Sequence, residues 1–598
     1  MTSEKPSFLN VTNSLTGQRW IERLPAEARN LATAIHQKLD VPELVGRVMA
    51  ARGVELENAE KFLDPTIRDL MPDPDVLTGM TEAASRLADA IEKKVHVAIF
   101  GDYDVDGASS SALLSKFLTA HQVPNEIYIP DRIFEGYGPN PDALRSLIDN
   151  GAKLIVTVDC GATSFDALAE AKKLGVDTIV LDHHQMGEEI PECAALVNPN
   201  RQDDLSGLGY LCAAGVVFMT LVATQRELRK RRAYETGINP PNLLDWLDLV
   251  ALATVCDVVP LVALNRAFVV KGLQVMSQQK NIGLRALMRI GRLDGPPRPY
   301  HLGFVLGPRI NSGGRIGDAA LGSRLLTTDD EILAQQIAEQ LETLNKERQR
   351  SEAQMLEQAI AEAEAETASG EGPAVLVTAS DDWHPGIVGL LASRLKDRFK
   401  RPAFAISFDA QGKGSGSGRS ISGIDLGKVV RSAHEDGIIE KGGGHAMAAG
   451  LTIMKDRLPE LRDYFESHLT ENVNSVRENQ TLKIDGALTA RSATLDLIEL
   501  LEMAGPYGQG HSQPVFAFPA HQIRYAKIVG QNHVSFSATA SDGAQLRGIS
   551  FRSADTELGK LLLNARKQTV HLAGTLNADF FQGSRRVQLR LLDAAVPG

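Results

Sequence analysis

The chain has 598 residues, of which 43% are hydrophobic and 23% charged, and its formal net charge is −12 at pH 7. This length exceeds one ordinary core and predicts three or four domains, with the composition of a soluble globular protein. No apolar run reaches the ~18 residues of a membrane span, and the N-terminus MTSEKPSFLN lacks the basic and apolar regions of a secretion signal.

The four cysteines, Cys160, Cys193, Cys212 and Cys256, form no CxxC pair. Neither a zinc knuckle nor a disulfide framework is therefore indicated, and a reducing cytoplasm is the expected compartment. The acidity is uneven: from Arg477 onward 13 Lys and Arg face 10 Asp and Glu, so the tail carries +3 and the remainder −15. A basic track, if present, is local.

In chain order, residues 1 to 75 read as a small helical N-terminal region. From 95 to 199 short β-rich runs (VHVAIF, NEIYIP, KLIVTV, DTIVL, AALVNP) alternate with helical stretches. That alternation predicts an α/β domain with a doubly wound parallel sheet. Residues 207–326 are expected to be mostly helical, and close a domain spanning 76–327. Residues 328–367, rich in Ala, Glu, Gln and Leu and free of Gly and Pro, predict one long connecting helix of about 55 Å, a solvated spacer. After the break at ASGEGP a second α/β unit (368–477) begins with PAVLVTA and PAFAISF. The tail, 478–598, alternates apolar and polar residues in HVSFSATA, LRGISF, QTVHLAGTL and RRVQLRLL, as a small antiparallel β-barrel would.

Four segments carry the chemistry: GDYDVDG (101–107), TVDCGA (157–162), LDHHQ (181–185) and TVCDVVP (254–260). Three directly follow apolar strands, and open parallel sheets bind ligands at the carboxyl ends of their strands. Converging carboxylates repel one another unless cations sit between them. Asp with His and without thiolate pairs suits mixed O/N ligation, so two divalent cations are expected, Mn²⁺ first and Mg²⁺ as competitor. Two such ions about 3.5–4 Å apart are a standard device for phosphodiester hydrolysis. Any one such Asp is more often a helix cap than a ligand; four segments in one domain are not so easily dismissed. Cys160 and Cys256 neighbour these ligands but are expected to be buried apolar side chains.

The four segments resemble the motifs of the DHH phosphoesterase superfamily, whose name is spelled here by Asp182-His183-His184. The resemblance implies that Asp104 and Asp159 hold one metal, and that Asp106, Asp159, His183 and Asp257 hold the other, with Asp159 bridging. Asp102 would be a ligand or a supporting group, and His184 would face the scissile phosphate as a catalytic residue. No motif position departs from the family pattern, which argues against a non-catalytic relative.

Later segments narrow the branch. LGPRINSGGRIGDA (306–319) gathers Arg309, Asn311, Ser312, Gly313, Gly314 and Arg315 into what reads as one phosphate-cradling loop, or else a plain turn. WHPGIVGLLASRLKDRFKRP, GSGRS and KGGGHAMAAG resemble the DHHA1 substrate-binding domain. By that resemblance Arg394, Ser417, Arg419, Gly443, Gly444 and His445 contact substrate, with GGGH as a glycine-rich loop. FEGYGPN (134–140) puts Tyr137 and Asn140 near the strand. The basic tail, with Arg547, Arg552, Arg585 and Arg586, resembles an oligonucleotide-binding (OB) fold, which tracks single strands by charge and stacking. Together these imply a monomeric 5′→3′ exonuclease releasing mononucleotides from single-stranded DNA in recombination and repair, assisted by a single-strand-binding protein, with no membrane partner. A phosphodiesterase for nanoRNA, cyclic dinucleotides or 3′-phosphoadenosine-5′-phosphate remains the alternative.

Overall fold

A computed structural model describes residues 6–597 apart from 133–134, 238, 294, 368–371, 565–567 and 582–583. The expected break at ASGEGP and the Phe134 end of FEGYGPN fall on residues outside that description. Two compact units result: Pro65–Glu471 with Gly508–Gly510, and Met1–Asp64 with Asn472–Tyr507 and His511–Gly598. Among the described residues no helix is long and apolar enough to cross a membrane.

The larger unit opens with a five-stranded, all-parallel sheet formed by Val97–Gly101, Asn125–Tyr128, Leu154–Val158, Asp177–Leu181 and Ala195–Val197. The strands are buried on both faces, as the continuous apolar runs require. Val97, Ile99, Leu154 and Val156 pack against Met80–Glu92, Val105–Ala120 and the helices beyond residue 207. Ala98, Phe100, Ile155 and Val180 pack the other way, onto Leu144, Leu147, Leu168 and Ala171. Asn125–Tyr128 lies to one side of Val97–Gly101 and Leu154–Val158 to the other, so the chain reverses its winding direction at Val97–Gly101.

The connecting helix, Glu331–Thr367, has the expected extent but is no solvated spacer. Its residues 334, 337/338, 341, 345, 348, 352, 355, 359 and 363 are buried at helical spacing. Ala334, Ile337, Ala338 and Leu341 join the first core, and Met355, Ala359 and Ala363 join the second. It is a shared wall whose buried stripe also carries the Arg348–Glu352 ion pair.

Beyond it a mixed five-stranded sheet runs in the order Lys441–His445, Ala448–Met454, Lys413–Arg419, Ala403–Phe408, Leu376–Ser380, with only the last pair parallel. In KGSGSGR the period of two decides everything. A Cβ on Gly414, Gly416 or Gly418 would meet Phe408, Leu451 or Phe404 within 2.7 Å, while Ser415, Ser417 and Arg419 face the opposite side.

In the smaller unit, Phe516–Val529, His533–Thr539, Gln545–Ser550, Ser584–Ala595 and Thr569–Phe581 close into a five-stranded barrel. Four pairings are antiparallel, but Gln545–Ser550 meets Ser584–Ala595 parallel, a departure from the all-antiparallel expectation. The helix Glu557–Asn564 supplies the crossover such a pair needs. The N-terminal region is not wholly helical either. Arg19–Glu22 is a strand pairing parallel with Thr481–Ile484, and Trp20 is fully buried, its indole N–H donating to Asp593 at 2.8 Å.

Candidate metal centre

The four motifs converge where the winding reverses. Asp102 follows Val97–Gly101, Asp159 follows Leu154–Val158, the Asp182-His183-His184 triplet follows Asp177–Leu181, and Asp257 ends the helix Leu247–Cys256. His183 Nε2 lies 3.3 Å from Asp159 Oδ1, 3.6 Å from Asp257 Oδ2 and 3.7 Å from Asp106 Oδ2. Three overlapping sets have ligand atoms within 4.8 Å of one another: Asp102, Asp104 and Asp159; Asp106, His183 and Asp257; and Asp159, His183 and His184. Asp159 belongs to two of them, the position a bridging group needs.

The local backbone serves this geometry. Asp104 caps the helix Val105–Ala120, its Oδ1 accepting from Asp106 N at 2.8 Å and Gly107 N at 3.1 Å. Asp106 lies within the first turn and accepts from Ala213 N at 2.7 Å and Ala214 N at 2.8 Å, at the N-terminus of a second helix. Asp159 is held at φ 62° and Val258, beside Asp257, at φ 60°. A non-glycine residue in this region is uncommon and a β-branched one rarer still, so the backbone at Asp159 and above all at Val258 is strained beside the carboxylates.

Asp159 Oδ1, Asp257 Oδ2 and His183 Nε2 are buried without a hydrogen-bond partner although they face one another. Burial first, and then neighbouring carboxylates, push Asp102, Asp159 and Asp257 well above the usual carboxylate range and Asp106 up to about 7. A divalent cation removes both penalties at once. The thiols turn elsewhere: Cys160 donates to backbone carbonyls and Cys256 to Leu302 O, and burial raises both, consistent with the apolar role expected of them.

The two histidines are differentiated by their surroundings. Burial and the neighbouring His184 charge lower His183 to about 4, so it stays neutral. Burial opposes protonation of His184 too, but Asp182 Oδ1 accepts from its Nδ1 at 2.8 Å and the pair's attraction carries it up to about 9. Asp182, despite burial, is held at about 2 by that bond, by the His184 charge and by the Ala162 N–H group. Tyr137 donates to Asp159 O at 3.2 Å and reaches His184 at the same distance.

The expected substrate residues divide. Residues 306–319 are not a loop: Gly307–Ile316 is a helix entered through a π-helical turn. Glycine disfavours helix, but here packing demands it, because a Cβ on Gly314 would lie 2.7 Å from Tyr103 O in the first motif. Ser312 consequently points inward, bonded to Arg309 O and Leu341 O, and Arg309 pairs with Glu342 at 2.7 Å. Asn311 Oδ1 is buried without a partner. Arg394 pairs with Glu352 of the long helix at 2.9 Å, and Asn140 caps the helix Pro141–Asp149 through Ala143 N. GGGH is likewise an edge strand turning into a hairpin rather than a loop, with open space over Gly443 and Gly444 at φ 136° against Ala448. His445, lowered by burial, then by the charges of His184 and Arg431, is within electrostatic reach of the centre.

Arg315 and Arg419 gather with two residues the motifs did not single out, Arg132 and Arg348. Burial and then the charges of Arg132, Arg348 and Arg419 lower even the Arg315 guanidinium to about 10. Arg132 stacks over the Tyr103 ring at 5.0 Å, and Arg419 donates to Ser417 Oγ at 3.0 Å. Among the described residues, neither Arg132, Arg315 nor Arg419 pairs with a carboxylate. His384 of the WHPG segment also feels Arg132. Arg132 lies two residues before FEGYGPN, where one more basic residue gives no signal of its own.

Three family models match: DHH family, N-terminal domain, over residues 96–254; DHHA1 domain over 372–471; and RecJ OB domain over 484–593. Sheet, carboxylate crevice and accessory domains together define a multidomain protein of the DHH class. The single-stranded-DNA-specific exonuclease RecJ of Dickeya dadantii is 36% identical over 92% of this chain and 95% of its own length, and that of Escherichia coli K12 is 34% identical over 92% and 95%. The chain belongs to the RecJ family. The crystal structure of Thermus thermophilus RecJ in complex with Mn²⁺ superimposes with a TM-score of 0.77 at 28% identity, covering 96% of this chain and 78% of that one. A Mg²⁺ complex of the same protein scores 0.73.

Proposed function

We propose that the chain is a metal-dependent exonuclease that hydrolyses single-stranded DNA from its 5′ end to mononucleotides. One observation carries this reading: an Asp–His centre with orphaned ligand atoms lies beside three arginines, Arg132, Arg315 and Arg419, that pair with no carboxylate among the described residues. Asp104, Asp106, Asp159, His183 and Asp257 hold the cations, with Asp102 supporting. Two bound divalent cations supply Lewis-acid stabilisation of phosphate charge and a water of lowered pKa.

The chain's own groups do the rest. His184, kept protonated by Asp182, presents a fixed positive charge to the scissile phosphate. Tyr137 sets the ring's position. Arg132, Arg315 and Arg419 with Ser417 receive a phosphate of the strand end, since a partly buried cluster of like charges is relieved by an anion. Gly443, Gly444 and His445 form the facing edge. The barrel, with Arg547 and Arg586 lining a cavity of about 340 Å³, binds single strands by charge and stacking. A single-strand-binding protein as helper, action as a monomer and a cytoplasmic site complete the proposal, the last supported by four free cysteines.

The test is digestion of 5′- and 3′-labelled single strands, duplexes and dinucleotides with Mn²⁺, Mg²⁺ or chelator. Mononucleotides released from the 5′ end of single strands alone, and only with metal, are expected. Equal cleavage of duplexes, or activity confined to dinucleotides, would overturn the reading.

A further inference from the structure

Immediately before the helix Gly307–Ile316, two aromatic side chains are left in water. Tyr300 and Phe304 are 59% and 69% exposed, with ring centroids 5.1 Å apart and planes 22° from parallel. They sit on Pro299–His301 and on the π-helical turn Leu302–Leu306; such turns recur at functional sites because they push side chains off the regular helical face. The turn is bound to the metal centre's own scaffold. Leu302 O accepts from Cys256 Sγ at 3.3 Å, Gly303 lies against Val255, and a Cβ on Gly307 would strike Cys256 Sγ. Val255 and Cys256 are the two residues before Asp257. On the other side Gly291 abuts Val305, and next to it Arg292 is exposed at φ 51°. Arg292 and the exposed Arg289 one turn earlier have no carboxylate partner among the described residues.

A stacked, solvent-facing aromatic pair flanked by arginines without a carboxylate partner among the described residues matches what a single nucleotide strand needs: a π-surface for any base and cations for its phosphates. The helix Gly307–Ile316 runs about 15 Å from this ledge to Arg315, at 1.5 Å per residue, passing the metal centre on the way. We propose that Tyr300 and Phe304, with Arg289 and Arg292, form a base-stacking ledge that holds the part of the strand not yet cleaved. The proposal rests on the nuclease reading above and adds a contact outside the metal and arginine sites.

The test compares wild type with Tyr300→Ala/Phe304→Ala on labelled single strands of two to twelve nucleotides. Both side chains are exposed, so the variant should fold. KM for the long strands should rise about 10-fold or more, in line with lost base–aromatic stacking, with kcat and the dinucleotide KM unchanged; Tyr300→Trp/Phe304→Trp should restore it. In parallel, fluorescein-labelled dT12 is titrated in chelator, where Arg289→Ala/Arg292→Ala should flatten the salt dependence. An equal change in KM at every length, or none, would overturn the ledge. So would a variant that binds dT12 normally but loses self-association in sedimentation, since a second copy would then be the occupant. A wild-type protein that cleaves no single strand would sink the nuclease reading instead, while the chelator titration would still report on the ledge.

Discussion

In the metal-free protein, Asp106→Asn should be stabilising at alkaline pH. Asp106 is fully buried, and burial together with Asp104 moves its carboxyl from 3.8 to about 7. At 1.36 kcal/mol per pH unit, keeping it charged costs the folded state about 4 kcal/mol at pH 8. Asparagine removes that cost but retains only one of the two acceptor bonds to Ala213 and Ala214 N–H, at a loss of about 2 kcal/mol. The net gain is about 2 kcal/mol at pH 8, a rise of a few degrees in the melting midpoint. The sign follows from proton uptake: between pH 4 and 7 the folded state holds a proton that the unfolded state has released, so wild-type stability falls as pH rises through this window. Near pH 4 the asparagine advantage should vanish. The assay is calorimetry of both proteins in chelator from pH 4 to 8, then with Mn²⁺. Saturating metal should raise the wild type strongly and the variant little. A variant less stable than wild type at pH 8 in chelator, or a wild type that gains stability from pH 5 to 8, would refute the reasoning.

Other outcomes follow from the same geometry. Asp159→Ala or His183→Ala should lower hydrolysis by more than about 100-fold, beyond the usual effect of losing a group that merely orients a ligand, while fluorescence anisotropy shows strand binding largely intact. Arg315→Ala should raise KM far more for 5′-phosphorylated strands than for 5′-hydroxyl strands, checked by steady-state kinetics on the two. Gly314→Val should disable the centre through Tyr103 without unfolding the protein, seen as lost activity with unchanged far-ultraviolet circular dichroism. Asp485→Ala leaves Arg23 and Arg52 without the carboxylate each reaches at 3.1 and 2.8 Å, which should cost the smaller unit about 3–5 kcal/mol in a denaturation experiment.

Much of this was readable from residue order. Each of the five parallel strands falls on an apolar run, because a strand buried on both faces leaves little else to write. Most metal-ligand candidates were legible for the related reason that such a crevice needs Asp and His directly after those runs; Asp257, which ends a helix, is the exception. What escaped notice depended on neighbours distant in sequence. Gly313 and Gly314 look like loop residues until Tyr103 is placed against them, and KGGGH looks like a loop until Ala448–Met454 pairs with it. Arg394 and Arg309 read as phosphate ligands because Glu352 and Glu342 lie on a helix that periodicity alone could not orient. Arg132 gained meaning only from the company of Arg315 and Arg419.

The pairing of Arg19–Glu22 with Thr481–Ile484 bears on how the chain acquires its shape during synthesis. Arg23 and Asp485 are 462 positions apart, and Trp20 and Asp593 573. At about 5–20 residues per second, the opening segment leaves the ribosome some 20–90 s before its strand partner exists. In that interval Trp20 has no permanent place, while everything from Pro65 to Glu471 can already fold. Nascent chains halted near residue 480 should therefore resist protease over the larger unit and be nicked ahead of it.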